Sequence, residues 1–170
     1  MSKILIERAV FPKIVRIGGG VVNETGAILE QLGLSNPLII TDKTLLRLGH
    51  VQTLTDVLKT YKIQYSIFAQ TIPEPTDKCL SMGISAFRKN NFDCIIGFGG
   101  GSCLDVAKAV SAMSRNPGHV REYKHPNQIN RVGVPIVLIP TTGGTGSELT
   151  KWCVISDTKL NEKYNLSGLA

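Results

Sequence analysis

Six short apolar runs, each of strand length and each bounded by turn-forming residues, punctuate the chain: KIVRIG (13–18), PLIITD (37–42), QYSIFA (64–69), DCIIGFG (93–99), VPIVLIP (134–140) and WCVIS (152–156). Between several of them the apolar spacing lengthens to about 3.6, the period of a helix with one buried face. Leu45, Leu46, Leu48, Val51, Leu54, Val57 and Leu58 predict such a helix ahead of KIQYSIF. The resulting order is β-α-β-α-β. Runs such as LIIT and IVLI are apolar on both faces, which predicts a parallel sheet covered by helices on either side. In an open sheet of that kind ligands bind beyond the carboxyl ends of the strands. Attention therefore falls on Asp42, on TIPEPT (71–76), on GGGS (99–102) and on TTGGTGSE (141–148). The stretch RNPGHVREYKHPNQINRVG (115–133) is predicted to be an exposed connection.

Composition narrows the partners. The net charge is +6, yet the 19 Lys and Arg are scattered, aromatics are 6%, and no basic run alternates with stacking residues, so no nucleic-acid partner is expected. Cys79, Cys94, Cys103 and Cys153 form no C-x-x-C pair and read as reduced thiols. The N-terminal MSKILIERAV has no signal-peptide core, and no apolar run approaches the roughly 18 residues that span a bilayer. A soluble, cytoplasmic protein without a membrane partner is expected.

Glycine supplies the candidate chemistry. Gly99, Gly100 and Gly101 let the backbone approach a ligand closely, and Ser102 opens a helix whose free N–H groups and dipole favour an anion. The pattern from Gly97 is G-x-G-x-x-S, not G-x-G-x-x-G, and no P-loop lysine follows. A ligand-free alternative stands beside this: Ser102 and Asp105 have the spacing of a capping box, and glycines also serve tight strand-to-helix turns. The second loop, Thr141 to Glu148, adds hydroxyls and bare amides at the same sheet edge, although Thr145 and Glu148 have capping-box spacing too. A serine hydrolase is excluded by the lack of a G-x-S-x-G elbow.

GGGSCLDVAK (99–108) resembles the GGGSxxDxAK motif of the iron-containing, group III alcohol dehydrogenases, and PTTGGTGSE (140–148) resembles their PTTAxTGSE. IITDKTL (39–45) and IPEPT (72–76) are similar to the ends of that family's second and third strands. The resemblance implies a Rossmann-like α/β domain with a parallel sheet flanked by helices, of the dehydroquinate synthase-like N-terminal type. It also implies an all-helical domain whose Asp and three His hold Fe²⁺ or Zn²⁺. Residues 1–170 are expected to be the dinucleotide-binding domain alone, since the chain ends at KYNLSGLA, ahead of the first metal-binding Asp. No catalytic or metal-binding residue is therefore expected within it, and His50, His119 and His125 match no ligand position.

Carried over residue by residue, the resemblance implies NAD contacts at Asp42, Glu74, Gly99, Gly100, Gly101, Ser102, Cys103, Leu104, Asp105, Thr141, Thr142, Thr145 and Lys163. Gly100 to Ser102 would hold the pyrophosphate, with Cys103 and Leu104 adjoining. Asp105 would lie toward the nicotinamide, Thr141, Thr142 and Thr145 would line the nicotinamide and its ribose, and Lys163 would reach that ribose or a phosphate. Glu74 stands where the family often has Asn, Gly143 replaces an Ala, and Trp152 is bulkier than usual. Asp42 at the end of its strand would accept both adenosine ribose hydroxyls and repel a 2′-phosphate, giving NAD over NADP, unless it only caps the following helix. The implied reaction is hydride transfer between NAD and a primary alcohol, diol or aldehyde, in a homo-oligomer, with the isolated 170 residues inactive. Alternatives are a dehydroquinate synthase-like or glycerol dehydrogenase-like relative and a non-catalytic nucleotide-binding module.

Overall fold

The structure, a computed structural model, describes residues 12–167. Four parallel strands form the sheet: β1 (Pro37–Asp42), β2 (Ser66–Thr71), β3 (Cys94–Gly99) and β4 (Ile136–Pro140), in the order β2-β1-β3-β4. The helices are α1 (Thr25–Gln31), α2 (Lys43–Arg47), α3 (His50–Thr60), α4 (Asp77–Arg88) and α5 (Gly101–Arg115). Alternation along the central strands divides the core. Leu38, Ile40 and Ile95 face α4 and α5, while Ile39, Cys94, Ile96 and Phe98 face Leu29 of α1 and Val51, Leu54 and Leu58 of α3. Both faces of β1 and β3 are thus sealed, as the two-sided apolar runs require. Gly97 lets α5 sit down on β3: a Cβ there would lie 2.8 Å from Ala107 Cβ and 2.9 Å from Leu138 Cδ2.

Chain direction sets the site. From β1 the chain crosses to β2 on one side, then returns over β1 to β3 and continues to β4 on the other. The order therefore reverses between β1 and β3, and a ligand crevice belongs beyond their carboxyl ends, at Asp42 and Gly99.

Three sequence expectations change. KIVRIG forms no strand: residues 14–17 have no regular structure, and Ile17 is 92% exposed. This short apolar run finds no strand to pair with among the described residues. The helix expected over 45–58 is two, because Gly49 takes a left-handed φ of 77° and ends the first; Leu46 and Leu48, counted into the periodicity, are exposed. WCVIS is a strand, but β5 (Cys153–Asp157) pairs antiparallel with β6 (Glu162–Leu166) as a separate hairpin. This hairpin packs Cys153, Ile155, Tyr164 and Leu166 into the core on the α4/α5 side. The connection 115–133 is exposed over much of its length but anchored by buried Asn116, Val120 and Ile129.

Two ion pairs tie that connection to the hairpin, Lys124–Glu162 at its surface and Arg121–Asp157 beneath. Arg121, in a 3₁₀ turn (Val120–Tyr123), donates from Nε at 2.5 Å and Nη2 at 2.8 Å to the fully buried Asp157 carboxylate. The guanidinium, with the Leu160 and Lys159 amides helping against the cost of burial, holds the Asp157 carboxyl at about 2. An unfolded Asp titrates near ~3.9. Because the folded value is the lower one, the stabilisation is complete above the unfolded value and disappears as pH falls through it toward the folded one. Melting temperature is expected to drop between about pH 4 and pH 2, and the Arg121→Gln variant to lose less across that window. Parallel acid profiles of the two proteins would contradict the assignment.

Candidate functional site

The two glycine loops meet. The Thr141 N–H donates to the Gly99 carbonyl at 2.9 Å, directly joining the ends of β3 and β4. A Cβ at Gly100 would lie 3.5 Å from Thr142 Oγ1, and one at Gly101 would lie 3.1 Å from Thr145 Cγ2. Thr141, Thr142 and Thr145 are themselves exposed, so they form a polar wall at the mouth of α5.

That mouth is open. α2 is capped by Asp42 and α4 by Thr76, each accepting from the N–H three residues on, but no side chain caps α5. Gly100 is its N-cap, which places Ser102 inside the first turn and rules out the Ser102–Asp105 capping box. Cys103 and Leu104 donate their N–H groups to Gly100 O at 2.9 and 3.2 Å. The N–H groups of Gly101 and Ser102 precede any intrahelical acceptor and point along the dipole of a 15-residue helix. Leu104 itself is fully buried, so only its backbone belongs to this end. Gly99 takes a φ of 149°, and a Cβ on it would lie 2.6 Å from Cys103 Sγ.

Asp42 lies beside this turn. Its Oδ1 accepts from the Leu45 N–H at 2.9 Å and its Oδ2 from the Cys103 thiol at 3.6 Å. Burial, then the neighbouring Asp42 carboxylate, push the Cys103 thiol up to about 12, so it stays protonated and donates. A carboxylate has about four acceptor positions, and these two bonds fix its orientation while leaving two for a diol. The helix-capping role is thus real and does not use up the carboxylate.

Glu74 and Lys163 meet at 2.7 Å, joining the loop after β2 to β6 with both side chains mostly exposed. Glu74 holds a left-handed φ of 53°, uncommon for a residue other than glycine or Asn. Sequence reasoning missed Lys108. It is 3% exposed and donates to Ser147 O at 2.8 Å, Thr150 O at 3.4 Å and the Trp152 carbonyl, with Asp105 Oδ1 at 3.2 Å. Asp105 in turn accepts from Ser147 Oγ at 2.6 Å and the Val154 N–H at 3.1 Å. The signal was visible: a lone cation within the apolar run VAKAVSAM, three residues after an acid. Thr145 and Glu148 do not start a helix; Thr145 Oγ1 accepts from the Ser147 N–H, and Glu148 Oε2 is buried without a partner among the described residues. Trp152 stays 38% exposed, edge-on to His125.

The sequence profile of iron-containing alcohol dehydrogenases matches residues 12–169. The chain belongs to that family. An NAD-dependent methanol dehydrogenase of Bacillus methanolicus is 36% identical over 142 residues, which are 84% of this chain and 37% of that protein. A lactaldehyde reductase of Escherichia coli is 32% identical over 162 residues, 94% of this chain and 42% of the relative. Among solved structures, a 1,3-propanediol oxidoreductase superposes with a TM-score of 0.90 at 28% identity, and the sulfoacetaldehyde reductase of Bifidobacterium kashiwanohense in complex with NAD⁺ with 0.87 at 27%. Each match covers 96% of this chain and 43% of the other. The chain thus spans less than half the length of these family members. His50, His119 and His125 are exposed, and no group of three metal-ligating side chains occurs among the described residues.

Proposed function

We propose that this chain forms the NAD-binding side of an oxidoreductase that interconverts alcohols and aldehydes. The observation that carries this reading is the uncapped start of α5 facing the Thr141, Thr142 and Thr145 wall. Free N–H groups at a helix start suit a diphosphate, since charge-assisted hydrogen bonds contribute about 1.5–3 kcal/mol each. In this reading Gly99 to Ser102 cradle the pyrophosphate, and the Cys103 and Leu104 backbone lies behind it. Asp42 takes the adenosine ribose diol, and the three threonines flank the nicotinamide ribose. Asp105 sits beneath the nicotinamide end. When bound, the nicotinamide exchanges a hydride with the substrate carbon. The chain's own part is to orient that ring and exclude water from one face of it. The dehydrogenase and reductase relatives support an alcohol or aldehyde substrate, and a fluorescence titration with NADH tests the binding: saturable enhancement is expected, and a flat titration refutes the reading.

The Glu74–Lys163 pair lends a finer expectation. In the proposed site Lys163 serves the cofactor, so Glu74 competes for it and adds a negative charge beside a dianion. Glu74→Asn relieves both effects and suits the left-handed backbone. NADH binding is expected to tighten about threefold at low salt, the scale of an exposed ion pair. Weaker binding would show that Glu74 itself accepts from the cofactor.

Cytoplasmic location and assembly into a homo-oligomer belong to the same proposal. Four buried, unpaired thiols fit a reducing compartment, and burial raises Cys79, Cys94, Cys103 and Cys153 alike. Exposed Val15 and Ile17 in 13–18 support contact with a second copy.

A further inference from the structure

We propose that Lys108 and Asp105 form a lock that sets the gap between the two glycine loops, acting as positioning residues for the cofactor. This rests on the NAD reading above but concerns what holds the site open, which the family motif does not say. Gly101, Asp105 and Lys108 lie at i, i+4 and i+7, so they share one face of α5. Gly101 lets Thr145 approach; the two charged residues below it grip the same loop further on.

Every partner they have there lies between Ser147 and Val154. Lys108 meets the carbonyls of Ser147, Thr150 and Trp152, and Asp105 meets Ser147 Oγ and the Val154 N–H. An ammonium group has three donors, and here three carbonyls receive them while the Asp105 carboxylate, 3.2 Å away, supplies the counter-charge. Burial of apolar surface does not do this work. The large apolar side chains of 143–152, Leu149 and Trp152, are 46% and 38% exposed, and a Cβ at Gly143, Gly144 or Gly146 would touch nothing. The segment has no helix or strand of its own. What fixes it to α5 is therefore a polar lock, and moving that lock moves the threonine wall relative to the open N–H groups.

Backbone hydrogen exchange and NADH titration of wild type, Lys108→Met, Asp105→Asn and the double variant test this. In each variant amides across 141–154 should exchange about tenfold faster while those of β1 and β3 keep their protection, and NADH should bind about tenfold more weakly. The double variant should lose little more than either single one, because the two side chains act as a unit. Ser147→Ala, which removes one bond of the lock, gives a smaller change of the same kind should the Lys108 variant fail to fold. Uniformly faster exchange, or an unchanged loop in variants that bind NADH normally, overturns the lock. A wild type that does not bind NADH overturns the cofactor reading instead, and the exchange contrast still reports the lock itself.

Discussion

Replacing Gly101 by valine is expected to abolish NADH binding while the sheet stays folded. The backbone of Gly101 is ordinary right-handed helix, so a side chain costs no strain there, and valine propagates a helix better than glycine. The obstacle is Thr145: a Cβ would already lie 3.1 Å from its Cγ2 and 3.2 Å from its Cβ. Two further methyl groups must either push the second loop outward or fill the space over the N–H groups of Gly101 and Ser102. Losing two charge-assisted hydrogen bonds at about 1.5–3 kcal/mol each corresponds to an affinity loss on the order of 10²-fold or more. The check is a titration of the variant beside its thermal melt. Wild-type affinity in a folded variant would mean that the diphosphate does not lie there.

Asp42→Ser should narrow the preference for NADH over NADPH on the order of 10²-fold. Serine is as good an N-cap as aspartate, so α2 keeps its start and the change isolates the charge. Two effects then act in opposite directions on the two cofactors. NADH loses a charged acceptor for its ribose diol, and NADPH escapes repulsion between a carboxylate and its 2′-phosphate. Paired titrations with NADH and NADPH measure the ratio, and the Asp42→Gly variant should behave alike apart from its lost cap. An unchanged ratio in both would reduce Asp42 to the helix cap that it visibly is.

Much of this was legible in the residues, for identifiable reasons. β1 and β3 announced themselves because central parallel strands must be apolar on both faces, and the glycine turn because Gly99 has a positive φ against Cys103 and Gly101 lies close under Thr145. The hairpin was half legible: β5 lies in the apolar run WCVIS, but β6, EKYNL, sets exposed Lys163 and Asn165 and half-buried Glu162 around buried Tyr164 and Leu166. KIVRIG misled because a short apolar run is a strand only if something pairs with it. Leu46 and Leu48 misled because spacing alone does not separate exposed leucines from buried ones, and Gly49 between them and α3 was the better guide. Lys108 escaped because lysine is normally a surface residue, and its buried role depends on carbonyls some forty positions away in the chain. The open end of α5 was the least legible feature: Ser102 and Asp105 have the spacing of a cap, but the helix starts one residue earlier, with Gly100 as its N-cap, and Asp105 turns instead to Ser147 and Val154.

A crystal structure with NAD bound tests the central claim most directly. The account predicts diphosphate oxygens within hydrogen-bond distance of the Gly101 and Ser102 amides, with Thr142 and Thr145 on the facing side. A dinucleotide seated elsewhere on the sheet, with those two amides facing water, would contradict it.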